Sequence, residues 1–134
     1  MIELKDSLGV NVVKDSMAVD TTDWDNINEG MFLAINANGM LERATANTNP
    51  KYFPVLSKDK SGKALGQVVY LRGNSYIIKT DQVVSGGMSV GDSCTVDTTT
   101  RGKLTTASGS ATVVGIVLEK ETVSGTDYYT ILVL

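Results

Sequence analysis

The punctuation of this chain limits its fold more than any other feature. Short runs of β-branched, aromatic and aliphatic residues are cut at close intervals by Gly, Asn, Asp and Ser. No long segment carries a helical period. The clearest case is Met31-Phe32-Leu33-Ala34-Ile35, then Asn36-Ala37-Asn38-Gly39, then Met40-Leu41-Glu42-Arg43-Ala44. The outer runs suit strands, and Asn38-Gly39 suits the positive φ that a tight hairpin turn demands. With 42% hydrophobic residues in 134, the chain has enough apolar surface for a core. The expected fold is all-β: a small β-barrel or sandwich built from hairpins, with an extended N-terminal arm.

Further strands are expected at Tyr52–Leu56, Ser93–Asp97, Lys103–Thr106, Val113–Glu119 and Asp127–Leu134. Pro54 cannot donate a ladder hydrogen bond, so its strand lies at an edge or contains a bulge. Gln67–Leu71 and Tyr76–Thr80, joined by Arg72-Gly73-Asn74-Ser75, read as a second hairpin. Residues 1–13 form the arm and residues 14–134 a single β domain. Ile2, Leu4, Leu8, Val10 and Val12 mark the arm's apolar side. Such an arm is ordered only when paired, with its own sheet or with another subunit. Residues 14–29 are acidic and turn-rich and carry the only tryptophan, Trp24. They read as a loop whose Trp24 either anchors it to the core or serves as a contact hot spot.

A short internal echo runs through the chain. Asn28-Glu29-Gly30, a strand, and Gly39-Met40-Leu41 answer to Val90-Gly91-Asp92, a strand, and Gly102-Lys103-Leu104. Each hairpin precedes a strand ending Val-Leu-x-Lys: Val55-Leu56-Ser57-Lys58 and Val117-Leu118-Glu119-Lys120.

Most chemistry is excluded by what the chain lacks. Gly91-Asp92-Ser93 resembles the nucleophile motif of one family of serine hydrolases, and Cys94 beside it is the only thiol. The chain has no histidine to act as base, and its lysines sit mostly in polar stretches. Ser93 therefore reads as a strand entry, and no catalytic residue and no enzyme activity are expected. Zinc sites of the usual kind need His or several Cys, so no metal ligands are assigned. Asp20, Asp23 and Asp25 lack the glycine and terminal glutamate of an EF-hand loop. No phosphate-binding loop or dinucleotide fingerprint occurs, so no cofactor is expected. The net charge of −3 is scattered, which argues against a nucleic-acid partner. The apolar runs are too short for a membrane span, and the N-terminus lacks the layout of a signal peptide. One cysteine makes no internal disulfide.

The sequence of features from Trp24-x-x-Ile27-x-x-Gly30-Met31-Phe32-Leu33 through Gly39 and Leu41, then Gly91-Asp92, Gly102-x-Leu104 and Val114-Gly115-Ile116-Val117-Leu118-Glu119, resembles small β-rich capsid decoration (cement) proteins of tailed bacteriophages. The resemblance covers residues 24 to 134 and rests on spacing and turn chemistry. It implies a non-enzymatic protein made in the host cytoplasm. It would bind the major capsid protein on the outer surface of the virion head as a homo-oligomer, a trimer in preference to a dimer, and clamp the shell. Ile2, Leu4, Leu8, Val10 and Val12 would then meet the capsid or a neighbouring subunit, with Trp24 and Ile27 bracing the loop that follows. The alternatives are another virion part, such as a tail tube, tail tip or head-fibre base, and a carbohydrate- or peptide-binding β domain.

Overall fold

The computed structural model describes residues 2–7, 13–20, 22–44, 52–59, 67–72 and 75–134. Among them the chain forms eleven strands and one turn of 3-10 helix, Trp24–Asn26. The strands are β1 (Ile2–Ser7), β2 (Val13–Ala18), β3 (Phe32–Ile35), β4 (Leu41–Arg43), β5 (Phe53–Asp59), β6 (Gln67–Arg72), β7 (Tyr76–Thr80), β8 (Ser93–Val96), β9 (Leu104–Thr106), β10 (Gly115–Val123) and β11 (Thr126–Val133). They build two antiparallel sheets, ordered β2-β6-β5-β3-β4 and β1-β7-β11-β10-β8-β9. The protein is all-β, as its punctuation demanded.

Apart from β1, the two sheets are one topology used twice. Adding five to each strand number turns β2-β6-β5-β3-β4 into β7-β11-β10-β8-β9. The agreement extends to single hydrogen bonds. Gly30 N–H donates to Val55 O at 2.9 Å, and Gly91 N–H to Val117 O at 2.8 Å. Val55 N–H donates to Met31 O and Val117 N–H to Asp92 O, both at 2.9 Å. Both ladders shift register after the same valine, between Val55 and Ser57 and between Val117 and Glu119. A β-bulge of this kind bends the strand and increases its twist. In each unit the chain beyond the first strand returns to the far edge of its own sheet. Parallel bridges join Val19 to Leu41 and Val83 to Leu104. The short echo in the sequence is thus part of a complete internal duplication.

Each sheet curls over its own apolar cluster. In the first unit Val19, Ile27, Leu33, Leu41, Val55 and Tyr70 are buried together. In the second, Cys94, Leu104, Val117 and Ile131 hold the equivalent places. That second cluster also takes in Phe32, Ala34 and Ala44 from the first unit. Strand β3 is therefore buried on both faces: Leu33 points into its own unit, and Phe32 and Ala34 point into the other. This explains why residues 32–34 form a continuous apolar run rather than an alternation.

Several expectations need correction. The Gln67–Thr80 stretch is not a hairpin. β6 lies between β2 and β5, and β7 between β1 and β11, so the short connection carries the chain from one sheet to the other. Residues 13–18, expected mainly as the start of a loop, form β2 through a regular ladder with β6, from Val13 opposite Arg72 to Ala18 opposite Gln67. That pairing comes from a distant segment and leaves no local pattern. Pro54 meets one of its two expected options, a strand with a bulge, and not the other, since it lies inside the sheet. It faces Phe32, whose N–H bonds elsewhere, and the bulge follows one residue later. β1 runs antiparallel along β7 of the chain's own sheet.

Candidate interaction surface

The Gly91-Asp92-Ser93-Cys94 stretch is a strand entry. Gly91 supplies φ +92°, in the left-handed region where glycine is unstrained. Its counterpart Gly30 does the same at +91°. The Asp92 carboxylate accepts Ser89 N–H at 2.9 Å and the Thr106 hydroxyl at 3.0 Å. Both bonds tie the hairpin to the preceding turn. Cys94 is 0% exposed, and burial pushes its thiol up to about 12. It stays a neutral thiol, packed where the other unit has Leu33.

The acidic loop is equally committed to architecture. The Asp20 carboxylate accepts Thr22 N–H at 3.1 Å, the Thr22 hydroxyl at 2.9 Å and Asn36 Nδ2 at 3.0 Å. The Thr22 bonds hold it ionised below the usual carboxylate range. Asp23 is 3% exposed and accepts from Arg43 twice, from the backbone N–H at 2.5 Å and from Nε at 2.8 Å. Among the described residues no three His, Cys, Asp or Glu side chains gather closely enough to hold a metal ion.

Asp23 belongs to a lock between the two units. Arg101, at the tip of the β8–β9 hairpin, places Nη1 3.8 Å from Asp23 Oδ1 and donates from Nη2 to the Arg43 carbonyl at 3.0 Å. The next residue, Gly102, enters the first unit's sheet. Phe32 N–H donates to Gly102 O at 2.8 Å, and Gly102 N–H donates to Ala44 O at 3.0 Å. Gly102 has φ +82°, and a Cβ there would stand 3.4 Å from Arg43 Cγ and from Met31 Cβ and Sδ. In the sequence Gly102 stands out only as the counterpart of Gly39 in the short echo. Nothing local marks it as the contact between the two units.

Among the described residues an apolar row lies on the outward face of the second sheet. Ile78, Ile131 and Val117 share a register row and face the core. The adjacent row, Ile77 opposite Leu132 opposite Ile116 opposite Ser93, therefore faces out. Its three aliphatic side chains are half-buried, with exposed Leu118 close by on the bulge. One polar cluster borders it: Lys79 pairs with Glu121 and lies 5.6 Å from the centre of the Tyr128 ring. A groove between residues 81–87 and the Gly125–Asp127 turn has a largely polar lining that includes Asp81, Ser85 and Asp127.

The expected contact residues fall in different places. Ile2 and Leu4 lie on β1 opposite Thr80 and Ile78. Leu8, Val10 and Val12 lie outside the described residues. Trp24 is half-buried, packs on the first unit's cluster and carries Lys58 Nζ 4.9 Å from its ring centre. Ile27 is 0% exposed and braces the loop from within, so it presents no surface. The row Ile77, Leu132 and Ile116 was missed. Its alternation is hidden because both faces of these strands are apolar, and only the register separates them.

No protein-family model matches the chain, and no curated protein or solved structure matches it. Among the described residues no helix is long and apolar enough to cross a membrane.

Proposed function

We propose that this chain is a non-enzymatic capsid decoration protein of a tailed bacteriophage. It binds the major capsid protein on the outer surface of the head and stabilises the shell, acting as a homo-oligomer. The observation that carries the reading is the aliphatic row Ile77–Leu132–Ile116 on the outward face of a duplicated β body. Apolar side chains collected on one solvent-facing sheet suit a docking surface better than a substrate site. Asp20 and Asp92 hold turns, and Asp23 holds the lock. The resemblance described above supplies the target. Repeated weak contacts suffice for attachment to a shell, because neighbouring copies hold one another in place.

The test is sedimentation of the purified protein with expanded heads that lack it. Saturable binding is expected, with greater resistance of the heads to heat. Leu132→Lys should abolish binding and leave the circular dichroism spectrum intact. Binding to tails instead of heads would favour another virion role. A sugar or peptide that raises the melting temperature, with no particle binding, would favour the ligand-binding alternative.

A further inference from the structure

The duplication exposes an interface that the chain uses once and offers a second time. In the internal contact, the hairpin tip of the second unit is a plug, and the gap beside β3 in the first unit is its slot. Gly102 fills the gap between Phe32 and Ala44. The repeat gives every part of this contact a counterpart. Gly39, two residues before Leu41, corresponds to Gly102, two residues before Leu104, and both have positive φ, +74° and +82°. Ser93 and Ala107 correspond to Phe32 and Ala44. Ala107 N–H donates to Ser93 O at 2.7 Å, as Ala44 N–H donates to Phe32 O at 3.1 Å.

The two sets differ in occupancy. A Cβ on Gly39 would meet nothing within 4 Å. Ile35, in the place of Val96, is 47% exposed, whereas Val96 at the base of the docked plug is 0% exposed. On the slot side, among the described residues nothing enters between Ser93 and Ala107. Leu118, in the place of the half-buried Leu56, is 38% exposed. If a closed two-fold axis related the units, Gly39 would sit in its own chain's Ser93–Ala107 slot. It does not, so the arrangement is open and polar, with one unused plug and one unused slot.

We propose that a second copy of this chain completes the pattern: the Asn36–Gly39 tip of one copy enters the Ser93–Ala107 slot of the next. The inference rests on the internal interface and does not depend on the capsid reading. A plug and slot on different surfaces make a heterologous contact, which closes into a ring when the rotation permits and otherwise runs on as a filament. Exposed Leu118 would be covered in each contact, as Leu56 is within the chain.

The experiment uses the full chain. Asn38 and Thr106 are the counterparts of Arg101 and Arg43, which touch in the internal contact. Asn38→Cys and Thr106→Cys proteins are prepared separately, mixed and gently oxidised. Buried Cys94 is shielded from the reaction. A two-chain disulfide product is expected in the mixture, several-fold above either protein alone, and Ser93→Arg in the Thr106→Cys chain should abolish it. Ser93→Cys replaces Thr106→Cys if the latter does not fold. Light scattering of the unmodified chain should give a multiple of the 14.3 kDa chain mass. A monomer at millimolar concentration, or a mixture that links no more than its components, overturns the proposal.

Discussion

Asp23→Ala is the sharpest probe of how the two units are joined. The carboxylate is buried, accepts the Arg43 backbone N–H at 2.5 Å and Nε at 2.8 Å, and lies 3.8 Å from Arg101 Nη1. Alanine would leave the backbone N–H without its acceptor, a loss of about 1–3 kcal/mol. It would also remove the carboxylate paired with Arg43 and one of the two beside Arg101, whose Nη2 still lies 3.9 Å from Glu42 Oε2. Removing one member of a fully buried pair costs about 3–5 kcal/mol. That figure is an upper limit here, because the Arg43 and Arg101 side chains are 22% and 33% exposed and water takes over part of their solvation. The expected total is about 2–4 kcal/mol. Asp23→Asn keeps an oxygen for the backbone N–H and should lose roughly half as much. Urea unfolding followed by circular dichroism gives both values from the shift in midpoint at constant m. An Asp23→Ala protein within about 0.5 kcal/mol of the parent would refute the argument, since changes of that size are ordinary at surface positions.

Two further outcomes follow from packing and burial. Gly115→Ala should be among the most damaging small substitutions. A Cβ there would run into the Leu132 carbonyl oxygen and stand 2.8 Å from Ile131 Cγ2, forcing β10 away from β11. A loss of about 1–3 kcal/mol or more is expected in thermal melts, and an unchanged melting temperature would contradict it. Cys94 should resist thiol reagents at pH 8 in the native state and react fully in urea. Its raised folded value, about 12, means the unfolded chain loses this proton first. The Cys94 contribution is therefore complete below about pH 8.5 and is lost as pH rises from there toward the folded value. Cys94→Ala should flatten that alkaline decline in an unfolding series between pH 8 and 11.

The turn chemistry made the hairpins legible. Asn38-Gly39 and Gly102 mark reversals in which only certain residues are unstrained, and Gly30 and Gly91 mark strand entries for the same reason. The matching Val-Leu-x-Lys endings showed that the same piece recurs. The full extent of the duplication was hidden because β2 and β7 share little beyond their places in the sheets. β6 and β7 were taken for a hairpin because they are adjacent in sequence, but adjacency does not decide which edge is free. The candidate interaction surface was the least legible part. Whether Ile77 or Ile78 faces solvent depends on the ladder to β11, and whether Gly102 or Gly39 is docked depends on how the units meet. Neither is a local property.

The place of β1 bears on how the protein is made. Its residues leave the ribosome well before those of their partner strand β7, which begins only at Tyr76. At roughly 5–20 residues per second, the first strand waits about 4–14 s for its ladder. During that interval the five strands of the first unit can be completed, and Phe32 and Ala34 stay uncovered until the second unit arrives. The order of synthesis and the order of burial therefore differ at both places. A nascent chain halted near residue 72 would carry an unpaired strand and an exposed apolar face together, which is the composition of a chaperone client.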